Sequence, residues 1–181
     1  PGIHNVLNSL ACIALCDKYK IDSNSIQHAL KKFTGAHRRF EYKGIFKNAR
    51  IYDDYGHHPT EIQATAEALK KKQYNHSWII FQPHTYSRTK NLLDDFAKVL
   101  TEFDNIIVLD IYAARETNIY NISAKDLVNK IISLGKKAEY LPNFEECINY
   151  LNKNVHDNDI ILTLGAGTVT EIGDLLLNFE N

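Results

Sequence analysis

The 181-residue sequence contains no methionine, only three cysteines and no apolar run long enough to span a bilayer. Cys12, Cys16 and Cys147 form an odd, scattered set, which argues against a disulfide framework and favours a reducing compartment, so we expect a cytoplasmic location. With 21 basic and 22 acidic residues the net charge is −1, and charge gives no reason to expect a nucleic-acid or membrane partner. Because the chain begins with Pro1 and lacks methionine, we expect a processed product or an excised fragment.

Two glycine-rich nucleotide signatures are also missing or incomplete. The phosphate loop GxxxxGK[ST] does not occur, so if the protein uses ATP, residues outside this chain must hold the phosphates. The stretch "LGAGTVTEIG" has Gly165 and Gly167 but Thr170 at the third glycine position, and its strand is the last one predicted. This stretch therefore predicts a close backbone turn rather than a dinucleotide-binding fingerprint.

The apolar periodicity that is present changes along the chain. Residues 3–19 and 21–33 have the spacing of two amphipathic helices, and residues 38–54 alternate as two strands joined by a turn at Lys47 and Asn48. From Pro59 onward short apolar strands alternate with helices, as in a sheet covered on both faces. We therefore predict an α/β fold: a Rossmann-like, doubly wound, mainly parallel sheet with an antiparallel N-terminal hairpin.

Four polar segments follow the ends of predicted strands. Ligands of doubly wound sheets bind beyond the carboxyl ends of the parallel strands, so we expect all four segments to lie along one edge. The segments are "DDYGHHP", "QPHTYSR", "DIYAARE" and "GAGT".

The first of these segments places two carboxylates beside two imidazoles. Asp53 and Asp54 end a strand, so their side chains should point to opposite faces. His57 and His58 precede a proline, and Glu61 lies where a capping box places its acid, which predicts a helix N-terminus there. Such an N-terminus suits an anionic substrate group. The alternative is a simple helix cap with surface histidines.

Other polar residues offer weaker signals. Arg88, near a predicted helix start, is a plausible fork for a carboxylate, the alternative being a surface arginine. Asp54, His57 and His84 could form a metal site only if their loops converge, and we favour no metal site in this chain. Three residues within one helical turn could read an adenine edge, or could simply provide capping and surface polarity: His4, Asn5 and Asn8.

Together these motifs resemble the Mur ligases, in the branch that adds the first amino acid to the peptidoglycan precursor. The resemblance covers nearly the whole chain and rests on "GIHNVLNSLACIAL", "FTGAHRRFE", "IYDDYGHHPTEI", "FQPHTYSRT", "DIYAARE", "SAKDL" and "LTLGAGTVTEI". It implies that residues 1–34 are the terminal helices of the family's central ATPase domain and that residues 35–181 are its C-terminal domain.

The resemblance also implies roles for individual residues. His57 and Arg88 would orient the reactants, and no residue is singled out as a catalytic acid or base. The family pattern gives an adenine site of His4, Asn5 and Asn8, a ribose site of Arg39 and Asp54, and a substrate site of Tyr55, His57, His58, His84 and Arg88. Some members have a second arginine where this chain has Thr85, so either Arg88 carries the carboxylate contact alone or the full-length protein positions the substrate differently.

The implied activity is an ATP-dependent ligation of L-alanine to UDP-N-acetylmuramate through an acyl phosphate. ATP and Mg²⁺ would be held mainly by the central domain, so this chain alone is expected to be inactive, its partners being the two substrates and the remaining domains. The nearest alternative is a murein-tripeptide recycling ligase, against which Tyr55-Gly56 argues modestly. A non-catalytic nucleotide-binding module is a second alternative, and a dinucleotide-dependent oxidoreductase is disfavoured by the broken glycine pattern.

Overall fold

The structure, a computed structural model, describes residues 3–33 and 35–179 and divides the chain into two compact units, Pro1–Ala36 and His37–Asn181. The first unit contains helices α1 (Ile3–Lys18) and α2 (Ser23–Lys32). Asp22 caps α2, because its carboxylate accepts the backbone N–H of Ser25 at 3.0 Å. The two helices were predicted within one or two residues of these bounds, and their assignment to a central ATPase domain stays a prediction.

The second unit begins with the predicted hairpin. Strand β1 (Glu41–Phe46) pairs antiparallel with β2 (Ala49–Asp54). Lys47 and Asn48 join them with φ values of 48° and 61°, as a two-residue turn of the I′ type requires. The strand starts later than the alternating pattern suggested, because Arg38 and Phe40 have positive φ angles that interrupt an extended chain.

The rest of the unit alternates helix and strand around one six-stranded sheet. The strand order is β1-β2-β6-β3-β4-β5, and every neighbouring pair except β1–β2 is parallel. This confirms the predicted fold class. The remaining elements are α3 (Pro59–Leu69), β3 (Ser77–Phe81), α4 (Tyr86–Asn91), α5 (Leu93–Leu100), β4 (Asn105–Val108), α6 (Ala124–Ser133), β5 (Ala138–Tyr140), α7 (Phe144–Asn154), β6 (Ile160–Leu164) and α8 (Thr170–Asn178).

Two hydrophobic clusters sandwich this sheet, which explains why its strands are continuously apolar. In β3, Ile79 and Phe81 join a cluster with α3, α5 and α6, whereas Trp78 and Ile80 join the cluster of α7 and α8. All five residues of β3 are buried. Each face of the strand therefore meets its own helical layer, and apolar burial on both faces fixes the sheet inside the unit.

The segment after β3 forms two helices in close succession. Helix α4 starts at Tyr86 and ends before Leu92, whose ψ of 21° interrupts the helical path before α5. Arg88, which was expected near a helix start, lies inside the first turn of α4. In the part of the chain that the structure describes, no helix is long and apolar enough to cross a membrane.

Candidate active site

The four polar segments meet along one edge of the sheet, as predicted. They follow β2, β6, β3 and β4, which are neighbours in the sheet and run parallel. Backbone hydrogen bonds join the segments directly: Gly165 N–H donates to the Asp54 carbonyl at 3.1 Å, and Thr85 N–H donates to the Tyr112 carbonyl at 2.9 Å. The site is therefore a continuous rim of loops resting on the carboxyl ends of four strands.

Asp54 lies inside this rim and is only 6% exposed. Its two carboxylate oxygens accept the backbone N–H groups of Phe40 and Gly56, each at 2.8 Å. Burial raises the pKa of Asp54, and those two backbone hydrogen bonds and the charge of Arg39 act against the rise. Arg39 itself is exposed. The ribose contacts assigned to Asp54 and Arg39 stay predictions.

The neighbouring arginine was not among the predicted site residues, yet it connects three parts of the rim. Arg38 Nε donates to the buried carboxylate of Asp53 at 2.9 Å, and its terminal nitrogens donate to the carbonyls of Gly165 at 2.6 Å and Gly167 at 3.4 Å. Its guanidinium lies 4.9 Å from the ring centre of Tyr55. Asp53 is fully buried and Asp54 nearly so, so neither carboxylate faces solvent.

The histidine pair starts α3, and the predicted capping box is confirmed. His58 is the N-cap residue, and the Glu61 carboxylate accepts the backbone N–H groups of His57 at 3.0 Å and His58 at 3.2 Å. The expectation that this N-terminus leaves free N–H groups for an anionic ligand is therefore wrong. Glu61 accepts the N–H groups of His57 and His58, and His58 accepts those of Thr60 and Glu61 through its Nδ1 and its carbonyl. His58 is exposed, whereas the His57 side chain is only 24% exposed.

Four aromatic rings form a row across the rim. Their order is Tyr55, His57, His84 and Tyr112, with successive ring centres 5.3, 5.8 and 5.6 Å apart. Tyr55 is 38% exposed and Tyr112 is 37% exposed, so the two ends of the row reach solvent. The row brings three predicted residues together, and Tyr112 is a member that the sequence did not single out.

His84 and Arg88 are in direct contact, with Arg88 Nη1 3.3 Å from His84 Nδ1. Because a guanidinium has only donors, Nδ1 must accept and the ring proton lies on Nε2. Burial lowers the pKa of His84, and the positive charges of Arg88 and His57 lower it further. His84 is thus held neutral beside a permanent positive charge.

Thr85, which directly follows His84, has a strained backbone. Thr85 has φ 68° and ψ 145°, a region that β-branched residues rarely adopt. Its N–H is bonded to the Tyr112 carbonyl, and its carbonyl accepts the Thr89 hydroxyl at 2.7 Å. The structure therefore fixes Thr85 through its backbone.

The glycine turn after β6 is a close packing contact, as predicted. Gly165 has φ 145°, and a Cβ atom there would lie 2.7 Å from the Gln82 carbonyl oxygen. A Cβ atom on Gly167 would lie 2.8 Å from Cγ of Tyr112. These glycines let the loop approach its neighbours, so the turn needs no bound dinucleotide to explain it.

Three further predicted features concern the first unit, a metal site and the outer surface of the second unit. Asn8 is an exposed residue of α1 in the first unit, and the side chains of His4 and Asn5 lie outside what the structure describes, so the adenine site stays a prediction. Among the described residues no group of three or more His, Cys, Asp or Glu side chains could hold a metal ion. A groove of about 400 Å³ between α3 and α5 includes His58 but none of the other predicted site residues.

Comparison with known proteins decides the family. The family model described as "Mur ligase, glutamate ligase domain" matches residues 38–167. The chain belongs to the Mur ligase family. The UDP-N-acetylmuramate–L-alanine ligase of Agathobacter rectalis is 50% identical over 98% of this Mur ligase chain, and that of Acetivibrio thermocellus is 47% identical over 98%. The chain spans 39% and 38% of the lengths of these two relatives.

Solved Mur ligase structures have the same fold. The UDP-N-acetylmuramate-alanine ligase of Thermotoga maritima superposes with a TM-score of 0.78 at 31% identity, covering 99% of this chain and 38% of that one. A murein peptide ligase of Psychrobacter arcticus gives a TM-score of 0.74 at 24% identity, covering 98% and 37%, which shows the fold alone.

Proposed function

We propose that this chain is the C-terminal part of an ATP-dependent ligase that joins L-alanine to UDP-N-acetylmuramate in peptidoglycan synthesis. The observation that carries the proposal is the 50% identity, over 98% of the chain, to a ligase named for that reaction. The rim of loops supports it, because the predicted residues of the second unit lie at the edge where α/β sheets bind ligands. We place the reaction in the cytoplasm, where ATP is available.

The proposed reaction has two steps. ATP phosphorylates the muramoyl carboxylate, giving an acyl phosphate and ADP. The unprotonated amine of L-alanine then attacks the acyl carbon and forms the C–N bond. The nitrogen of the tetrahedral intermediate loses a proton to solvent, and phosphate leaves as the amide carbonyl is restored. The demands on the protein are orientation of the amine and neutralisation of the anionic groups.

Arg88 is the best placed residue of this chain for the carboxylate of L-alanine. One of its donors contacts His84, and a guanidinium has five N–H donors in all. The remaining donors match the planar, two-point geometry of a carboxylate. Tyr55, His57 and His84, which lie in the ring row, would limit the space for the amino-acid side chain. In our proposal the adjacent residue His58 is a further substrate contact.

The nucleotide would be shared with the rest of the enzyme. In our proposal Asp54 and Arg39 contact the ribose, while His4, Asn5 and Asn8 contact the adenine. The described residues provide no group suited to a metal ion, and the sequence has no phosphate loop, so we assign Mg²⁺ and the phosphates to the remainder of the enzyme. The chain alone should therefore not turn over substrate.

The test uses the full-length protein and measures ADP formation with UDP-N-acetylmuramate and ATP. We expect ADP only when L-alanine is present, and an Arg88→Ala variant should raise the KM for L-alanine about 100-fold with a small effect on the KM for ATP. Lys90→Ala, on the exposed side of the same short helix, is the matched control and should leave both constants unchanged.

Other outcomes would favour the alternatives. ADP formation that requires a murein tripeptide instead of L-alanine would identify the recycling ligase. Binding of ATP without any amino-acid-dependent ADP formation would favour a nucleotide-binding module.

A further inference from the structure

The short helix that carries Arg88 lacks a cap from its own sequence. Helix α4 has only six residues, too few to be stable without outside support. Its N-cap residue, Thr85, makes no side-chain capping hydrogen bond, and the Thr85 hydroxyl lies 3.4 Å from Ser87 Oγ. The N–H groups of the first turn therefore need acceptors from elsewhere.

An acid from a different loop supplies the missing cap. Glu116, in the segment that follows β4, accepts the backbone N–H of Ser87 through one carboxylate oxygen at 2.8 Å and the Ser87 hydroxyl through the other. These bonds lower the pKa of Glu116, so the side chain is ionised at neutral pH. A carboxylate at the first turn of a helix satisfies the orphan N–H groups as a serine or aspartate N-cap would.

The loop that carries Glu116 is itself bonded to the segment that precedes α4. Tyr112 N–H donates to the Pro83 carbonyl at 2.8 Å, and Glu116 N–H donates to the Ala113 carbonyl at 2.9 Å, which closes a turn. The carboxylate therefore reaches Ser87 from an anchored backbone. Ser87 directly precedes Arg88, so any movement of the first turn moves the guanidinium.

We propose that Glu116 is a positioning residue for the amino-acid substrate: by capping α4 from the neighbouring loop, it fixes the direction of Arg88. This inference rests on the proposed function, in which Arg88 binds the carboxylate of L-alanine. Glu116 does not touch the substrate in this scheme. Its negative charge also lies near Arg88, which reduces the net positive charge that a carboxylate substrate meets.

The test is kinetic and uses full-length enzyme carrying this sequence. Glu116→Ala should raise the KM for L-alanine about tenfold, with the KM for ATP within about twofold of wild type, because only the amino-acid contact depends on α4. Glu116→Gln keeps an acceptor for Ser87 N–H and should restore most of the affinity. Amide hydrogen exchange of Ser87 in the 181-residue chain should be faster in Glu116→Ala and close to wild type in Glu116→Gln.

A matched control exists on another helix. Asp126 accepts both the backbone N–H and the hydroxyl of Ser123 at 2.8 Å, so it makes the same two bonds at the start of α6. Asp126→Ala should lower the melting temperature without changing the KM for L-alanine. If Glu116→Ala and Asp126→Ala have the same kinetic effect, or if neither changes the KM, Glu116 has only a structural role and the proposal is wrong.

Failure of the proposed function would look different. If wild-type enzyme forms no ADP with L-alanine, the substrate assignment fails whatever the variants do. The Ser87 exchange measurement needs no activity, so it still decides whether Glu116 caps α4. A Glu116→Gln variant as impaired as Glu116→Ala would also overturn the capping argument, because it would show that charge rather than the hydrogen bond matters.

Discussion

Replacing Arg38 by alanine should destabilise the second unit by about 3–5 kcal/mol, the usual cost of removing one partner of a buried ion pair. The Asp53 side chain is 1% exposed and that of Arg38 is 15% exposed, so water cannot replace the lost guanidinium at the carboxylate. After the change Asp53 would keep the hydroxyl of Thr163, at 2.6 Å, as its side-chain partner. The carbonyl of Gly165 would lose a donor as well.

The protein provides its own probe for this measurement. Trp78 is the only tryptophan of the sequence, lies in β3 and is 8% exposed, so its fluorescence reports unfolding of the second unit alone. With a urea m-value of about 2 kcal/mol/M, a loss of about 3–5 kcal/mol lowers the unfolding midpoint by about 1.5–2.5 M. The m-value itself should not change, because the variant buries nearly the same surface.

The adjacent arginine is the matched control. Arg39 is exposed, and Arg39→Ala should change the free energy of unfolding by no more than about 0.5 kcal/mol. The double variant Arg38→Ala, Asp53→Ala should be more stable than the sum of the single changes predicts, because it removes the unpaired buried charge. A midpoint for Arg38→Ala within about 0.5 M of wild type would refute the reasoning, since it would mean that Asp53 is solvated when its partner is absent.

Three further outcomes follow from single contacts. Asp159 accepts the backbone N–H groups of His76 and His156 and the indole N–H of Trp78. Asp159→Ala should therefore lower the free energy of unfolding by about 2–4 kcal/mol, measured by thermal unfolding with circular dichroism, and a loss below about 1 kcal/mol would contradict this prediction. In an NMR titration the pKa of His84 should lie below its usual value. Because the unfolded chain binds the proton more readily, the contribution of His84 to stability is present above about pH 6.5 and is lost as the pH falls through the native pKa. Arg88→Ala should raise that pKa, and an unchanged value would remove Arg88 as a cause.

Local signals made the fold and part of the site predictable. The turn at Lys47 and Asn48 was predicted between two alternating segments, and the capping box at the start of α3 depends on residues three positions apart, His58 and Glu61. The common edge of the four polar segments followed from a rule about parallel strands. Each of these inferences needs only residue types and short spacings, which a sequence contains.

Side-chain directions in the rim were not predictable in this way. The positive φ angles of Arg38 and Phe40 break the alternation that assigns residues to the faces of a strand, so the residue pattern cannot decide which of the two adjacent arginines turns inward. Glu61 was recognised as part of a capping box, but its carboxylate accepts the N–H groups of His57 and His58, so these groups cannot bind a ligand. Tertiary geometry decides both points.

The two arginines of the rim show why the missing information matters for function. Arg38 donates to the Asp53 carboxylate and to the carbonyls of Gly165 and Gly167. Every residue has a backbone carbonyl, so no sequence motif identifies the two carbonyls as partners of an arginine. In the described structure Arg88 makes one hydrogen bond, to His84, and keeps donors for a substrate. From the sequence, Arg88 was a candidate for binding a carboxylate and Arg38 was not singled out. Which one binds a ligand depends on how many donors the folded chain has already used, and by that criterion Arg88 is the substrate-binding candidate and Arg38 is the residue that holds the rim together.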